Sequence, residues 1–351
     1  MAFLSIPNVS IRGIAVCAPP NIVENRSMDF FSSEEIESVI SMTGIERRPV
    51  ADTNTTCSDL CEKAFNELID KLGWERESID AISYLSMTED YPQPNTACVL
   101  HGRLGLPEDC YVMDLKQGCP GWIIGVSSLA SLVSSGQIKR AVLMNGDINT
   151  RNSSPYDKES QPLFSDAGAV TALEYNPDAP AIECYIATRG KDWEAIICPA
   201  GGARCPVTQD SLEFKDYEDG SKRRDIDPRM DGMSVFSFGI SAAPKAMKKL
   251  WEHFSIDPES IDKYFFHQAN KFMNEKIRKK LKIAEDKVPY ILSNFGNSSS
   301  ASIPENIVVS CNSDFNNKPM DCIGCSFGVG LQYGAIHFRT EKIVCPELII
   351  Y

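Results

Sequence analysis

The feature that most constrains this chain is the segment GWIIGVSSLASLV at residues 121–133, where Trp122, Ile123, Val126, Leu129, Leu132 and Val133 leave a helix apolar on most faces. Such a helix has to be buried, so the fold must be built around it. A strand-like run at 111–115 leads into it through Gln117, Gly118 and Cys119, and Pro120 suits a first helical position because its missing N–H costs nothing there. Cys119 is therefore expected at a helix N-terminus, beside unpaired backbone N–H groups and the positive end of the helix dipole, which favour a thiolate. That makes Cys119 a candidate nucleophile; the alternative, a packed core cysteine, is the expectation for most of the other cysteines.

The chain has 351 residues, 43% hydrophobic and 24% charged, enough for one large domain or two tightly packed ones. With 48 acidic against 35 basic residues the net charge is −13, which argues against nucleic-acid or anionic-membrane partners unless basic residues cluster locally. No window approaches a membrane span and the first residues lack an export pattern, so a cytoplasmic protein is expected. Thirteen cysteines, an odd number, suit a compartment where thiols stay reduced. The pairs Cys57/Cys61 and Cys322/Cys325 have zinc-like spacing, but the second lies in an apolar, strand-like stretch, and no metal site is expected.

Strand-like runs at 81–85, 110–114, 140–145, 264–267, 289–293 and 321–326 alternate with helix-length patterns, which gives an α/β chain. The polar stretch 209–230 reads as a surface insertion or lid between two halves. In each half a strand runs into a sharp turn with a reactive-type residue and then a helix, which suggests a duplicated unit.

Of four histidines, His267 alone closes an apolar strand, Tyr264-Phe265-Phe266, just before a helix near Asn270, and strand ends are where α/β sites assemble. His101, His253 and His337 are expected at the surface or core edge. In SNFGNSSSASIP an apolar strand ends at Ser293 and a turn presents Asn294 and Asn297 before another helix.

Taken together, Cys119 in DLKQGCPGW, His267 in FFHQANKF and Asn297 in NFGNSSSASIP closely resemble the catalytic motifs of the β-ketoacyl-acyl carrier protein synthase III family. TGIERR (43–48), YPQPNTAC (91–98), FSDAGAV (164–170) and FGVGLQYGA (327–335) extend the resemblance over nearly the whole chain. It implies the thiolase fold: two similar βαβ halves, 1–175 with the nucleophile and 176–351 with His and Asn, in a five-layered α/β/α/β/α homodimer. It also implies a decarboxylating condensation in which Cys119 takes an acyl group from acyl-CoA or an acyl carrier protein. His267 Nε2 and the Asn297 amide would then stabilise the enolate from malonyl-acyl carrier protein, with no tightly bound cofactor. The backbone N–H groups of Cys119 and Val329 match the oxyanion hole, although glycine is usual at the second position.

Other matched positions depart from the family. Ser38, Met42 and Phe272 stand where acetyl-CoA-primed members stack adenine or bind phosphates, and only Lys158 keeps a positive charge among the CoA contacts. Gln93 replaces a bulky apolar residue that reaches across the dimer into the partner's acyl pocket. Glu89 lies roughly where hydroxymethylglutaryl-CoA synthases hold a general base, which would permit non-decarboxylating chemistry. The cluster Lys271, Lys276, Arg278, Lys279, Lys280 and Lys282 follows His267 on one helix, and Lys279 and Lys280 match the lysines that dock acidic acyl carrier proteins. Two alternatives remain: an acyltransferase of a specialised pathway, and a hydroxymethylglutaryl-CoA synthase-like enzyme.

Overall fold

A computed structural model describes residues 2–351. The strands that matter here are β1 (Ala2–Ile6), β2 (Val9–Ala18), β3 (Ala81–Leu85), β4 (Tyr111–Leu115), β5 (Arg140–Ile148), β6 (Asp166–Tyr175), β7 (Ile182–Thr188), β8 (Lys263–Phe266), β9 (Met320–Gly328), β10 (Gln332–Thr340) and β11 (Ile349–Ile350). The main helices are α1 (Ser33–Thr43), α2 (Cys57–Leu72), α3 (Thr96–Leu104), α4 (Gly121–Val133), α5 (Gly232–Phe254), α6 (Lys271–Leu281) and α7 (Ser302–Asn317). Local chemistry fixes several ends. Thr56 and Asp59 form a capping box at the start of α2, which Gly73 closes in the left-handed region.

Two mixed sheets result, ordered β11-β2-β6-β5-β3-β4 and β1-β7-β10-β9-β8. They repeat one pattern: three antiparallel strands (β2, β6, β5; β7, β10, β9) followed by a parallel one (β3; β8). Helices α4 and α7 lie between the sheets, α2 and α3 cover one outer face, and α5 and α6 the other. The five layers enclose three cores, the central one holding Trp122, Ile123, Val126 and Leu129 of α4 against Ile303, Ile307 and Val308 of α7. Each such side chain contributes roughly 1.5–3 kcal/mol on burial. Trp122 is fully buried, and its indole N–H donates to Thr171 Oγ1 at 3.0 Å. Leu132 alone of the expected apolar set turns toward solvent, 37% exposed.

A boundary at 175/176 coincides with the end of β6 but does not separate the sheets. The terminal strands are exchanged: β1 pairs with β7 in the second sheet, and β11 with β2 in the first. Residues 289–293 follow α6 in the place that β4 takes in the first half, yet they form no strand. Pro289 has no N–H, its carbonyl accepts from Asn306 Nδ2, and Ile291 N donates to Gln268 Oε1, so side chains replace the ladder. Only a short helix, Leu292–Phe295, follows.

The stretch 209–230 holds short hairpin strands rather than a regular element. It is anchored by buried Arg223, whose Nη2 meets Asp157 and Asp219 at 2.7 Å each and Glu159 at 3.3 Å. The two cysteine pairs cannot form one tetrahedral metal set. Cys57 and Cys61, 4.0 Å apart at sulfur, lie in one core, while Cys322 and Cys325 point from opposite faces of β9 into the other two.

Candidate active site

Cys119 stands in the turn between β4 and α4. Helix α4 begins at Gly121 and Pro120 occupies its N-cap, one residue earlier than the first helical position. Ser326 Oγ donates to the Cys119 carbonyl at 2.8 Å, so β9 holds the turn from the other half of the molecule. Burial pushes the thiol up to about 12, with the Asp147 carboxylate adding to it and Ser299 opposing. Burial thus opposes the helix end, which alone would favour the thiolate expected from the sequence.

His267 follows β8 and is 2% exposed. Burial pushes its imidazole down to about 3, so it is neutral at working pH. Nδ1 lies 2.7 Å from Ser302 Oγ, and that hydroxyl already accepts from Gln268 N at 3.4 Å. A Ser302 proton donated to Nδ1 would place the ring's own proton on Nε2. In that tautomer His267 is a donor at Nε2.

Asn297 is 4% exposed. Its Oδ1 accepts from Ser299 N at 2.9 Å, which leaves the Nδ2 amide as the free end. The loop is pinned by Asn297 N to Leu163 O and Ser165 N to Asn297 O, both 3.0 Å, which explains the 164–170 motif. The 43–48 motif acts behind it: buried Arg48 donates to Phe164 O at 2.6 Å and to Asn25 Oδ1 at 2.8 Å. A Cβ at Gly296, whose φ is +63°, would lie 3.0 Å from Arg48 Cγ, so glycine serves both the turn and the close approach.

These three residues line one cavity of about 1290 Å³. Val329 also lines it and lies outside the left-handed region, the turn being made by Gly330 at φ +134°; a β-branched residue therefore carries no backbone penalty there. Met87, Glu89, Pro92 and Lys116 also line it, and Lys116 Nζ engages Glu89 at 2.8 Å. Gln93 is exposed and does not line the cavity of the single chain. Among the exposed apolar residues of the lining, Met42, Trp193 and Phe272 are 53%, 50% and 48% exposed, and Phe272 stacks on Phe236 with centroids 5.9 Å apart. Ser38 is exposed but off the lining, whereas Lys158 lines it, tied to Glu35 at 2.9 Å.

Lys271, Lys276, Lys279, Lys280 and Lys282 are exposed along α6 and its end. Arg278 is withdrawn from this group, since both arms of its guanidinium pair with Glu275 at 2.8 Å. Sequence reasoning missed three residues at the site. Asp147, one residue before the end of β5, is fully buried, Ser299 adopts φ +56°, and Trp193 lines the cavity. Of the remaining histidines, His337 is buried between Glu183 and Asp321 at 2.8 and 2.6 Å, far from a free surface residue.

The model for the 3-oxoacyl-[acyl-carrier-protein] synthase III family matches residues 113–190, and that for its C-terminal region matches 252–340. The chain is 27% identical to a β-ketoacyl-[acyl-carrier-protein] synthase III of Syntrophomonas wolfei, over 95% of this chain and 98% of that protein. A similar protein of Clostridium perfringens is 28% identical over 93% and 98%. Among solved structures, a 3-oxoacyl-(acyl-carrier protein) synthase from Burkholderia xenovorans superposes with a TM-score of 0.93 at 31% identity, covering 100% of this chain and 99% of that one. The fold, the motif-bearing segments and these full-length similarities agree: the chain belongs to the 3-oxoacyl-[acyl-carrier-protein] synthase III family of condensing enzymes with the thiolase fold.

Proposed function

We propose that this enzyme carries out a decarboxylating Claisen condensation between an acyl thioester and malonyl-acyl carrier protein, with Cys119, His267 and Asn297 as its catalytic residues. One observation carries the reading: a thiol, a neutral imidazole whose Nδ1 is held by Ser302, and an amide end share one cavity. The thiol accepts the acyl group and forms a thioester of similar energy. Decarboxylation then builds negative charge on the malonyl thioester oxygen, which a His267 Nε2–H and the Asn297 Nδ2–H would stabilise. The enolate carbon attacks the acyl-cysteine, whose tetrahedral oxyanion takes the backbone N–H groups of Cys119 and Val329.

The reading includes no tightly bound cofactor, a cytoplasmic homodimer, and an acyl carrier protein docked on the lysines of α6. In support of the last point, a basic face stands out against a net charge of −13. No described helix is long and apolar enough to cross a membrane. Glu89 fits a base for non-decarboxylating chemistry poorly, because Lys116 engages its carboxylate. The test is intact-protein mass spectrometry after exposure to acyl-CoAs and acyl carrier proteins, with the adduct mapped by proteolysis. An adduct on Cys119, absent from Cys119→Ser, is expected; persistent labelling of the serine variant would refute the nucleophile.

A further inference from the structure

A smaller cavity, of about 310 Å³, shares no lining residue with the catalytic one. Val23, Met28, Phe30 and Val50 give it an apolar wall, and the cations of its lining are Arg48 and Arg151. Among the described residues neither arginine forms an ion pair with a carboxylate; their hydrogen bonds go to backbone carbonyls and to the Asn25 amide oxygen.

Arg48 is the more telling of the two, because it is only 1% exposed. Its Nε donates to Asn25 Oδ1 and its Nη1 to Phe164 O, whereas Nη2 makes no hydrogen bond and keeps some accessible surface. A buried cation with a bare donor is costly unless something pairs with it. Asp166, the acid that influences Arg48, does not do so: its oxygens accept from Ala51 N and from Thr150 N and Oγ1. Ala51 and Thr150 line the cavity, so Asp166 fixes its wall and leaves the guanidinium open. Arg151 binds the carbonyls of Asp52, Thr53 and Thr55 through Nη1 and Nη2, which anchors its charge without neutralising it.

We propose that this cavity binds a small amphiphilic monocarboxylate, with its carboxylate held by Arg48 and Arg151 and its hydrocarbon tail against Val23, Met28, Phe30 and Val50. Both halves of the lining require both halves of the ligand. A bare oxyanion would leave the apolar wall wet, and an uncharged apolar molecule would leave the two cations unpaired. At roughly 30 Å³ for a water-sized group, the cavity has room for about ten such groups, which suits an acid of about six carbons. The inference stands apart from the catalytic reading, since none of these residues lines the catalytic cavity.

The test is isothermal titration calorimetry of the whole chain with hexanoate, acetate, hexan-1-ol and inorganic phosphate, repeated on Thr53→Glu and Arg151→Gln with thermal unfolding as the check on folding. Hexanoate is expected to bind at one site, about 10-fold or more tighter than acetate, because its extra methylenes are buried. It should exceed hexan-1-ol and phosphate by a similar factor, and added salt should weaken it. Thr53 lines the cavity, and its hydroxyl makes no hydrogen bond, so Thr53→Glu sets a carboxylate beside the two cations at little cost to the fold. That variant should bind hexanoate about 10-fold or more weakly, as should Arg151→Gln; if Arg151→Gln does not fold, Thr53→Glu decides alone. Absence of saturable hexanoate binding would overturn the proposal, and so would phosphate or hexan-1-ol binding as tightly as hexanoate. Hexanoate binding that is unchanged in Thr53→Glu would also overturn it, by placing the acid elsewhere, as in the catalytic cavity.

Discussion

An ideal Cβ on Gly328 would lie 2.7 Å from Cys119 Cβ and 3.2 Å from its sulfur. The end of β9 therefore defines where the nucleophile can stand, and any side chain there must displace it. Gly328→Ala is expected to slow acyl loading at least 10-fold and to cost about 1–3 kcal/mol of stability through overpacking. Time-resolved acylation with a thermal melt checks this. Wild-type loading by the alanine variant would mean that the turn relaxes freely.

Ser302 acts at one remove: its Oγ lies 2.7 Å from His267 Nδ1, and a proton donated there would hold the ring in the Nε2–H tautomer. Ser302→Ala should let the imidazole sample the tautomer with a bare Nε2, which cannot donate to an enolate. Malonyl decarboxylation is expected to fall about 10- to 100-fold while acyl loading falls much less. Equal losses in the two half-reactions would argue against a role through the tautomer.

Buried Glu305 accepts from Ser298 Oγ at 2.6 Å, and its Oε1 has no partner. Burial pushes its carboxyl up to about 8, so the folded protein holds a proton that the unfolded chain releases near 4.5. The stability this group supplies is thus complete below about pH 4.5 and is lost as pH rises toward 8. Glu305→Gln mimics the protonated acid. It should unfold like wild type, within about 1 kcal/mol, at pH 5, and be the more stable of the two above pH 8. Parallel pH profiles in chemical denaturation would contradict this assignment.

Which parts of the site can be read from sequence follows from the range of the interactions. Cys119 is visible because the strand, turn and helix around it are local patterns, and His267 because an apolar strand ends beside it. The thiolate expectation weighed only the helix end, which is local in sequence; the burial of the sulfur and the nearby Asp147 carboxylate, both set by tertiary packing, act in the opposite sense. Asp147 and Glu305 are not visible because only tertiary packing buries them. A Glu in the first turn of α7 reads as a solvated residue suited to the helix dipole. The strand expected at 289–293 failed because its pairing groups are taken by Gln268 and Asn306, more than ten residues away.

The starter's carrier can be tested against the two faces of the cavity mouth. Met42 and Phe272 supply apolar surface where phosphate and adenine contacts would be needed, and Lys158 is already paired with Glu35. Each missing charge-assisted contact or stacked ring should cost CoA roughly 1 kcal/mol or more. An acyl carrier protein docked as proposed would lose little by this, because its acidic surface would meet exposed Lys271, Lys279 and Lys280 while only the pantetheine arm entered the cavity. The same acyl group should therefore load Cys119 faster from carrier protein than from CoA at equal concentration. Lys279→Glu/Lys280→Glu should reduce loading from carrier protein about 10-fold, with a weakened salt dependence, and leave loading from a small thioester within about 2-fold. Equal losses with both donors would indicate damage to the fold. A clear preference for acetyl-CoA at micromolar concentration would overturn the prediction, and Trp193 would then be the ring to test as the adenine platform, since Trp193→Ala should abolish that preference if its exposed indole does the stacking.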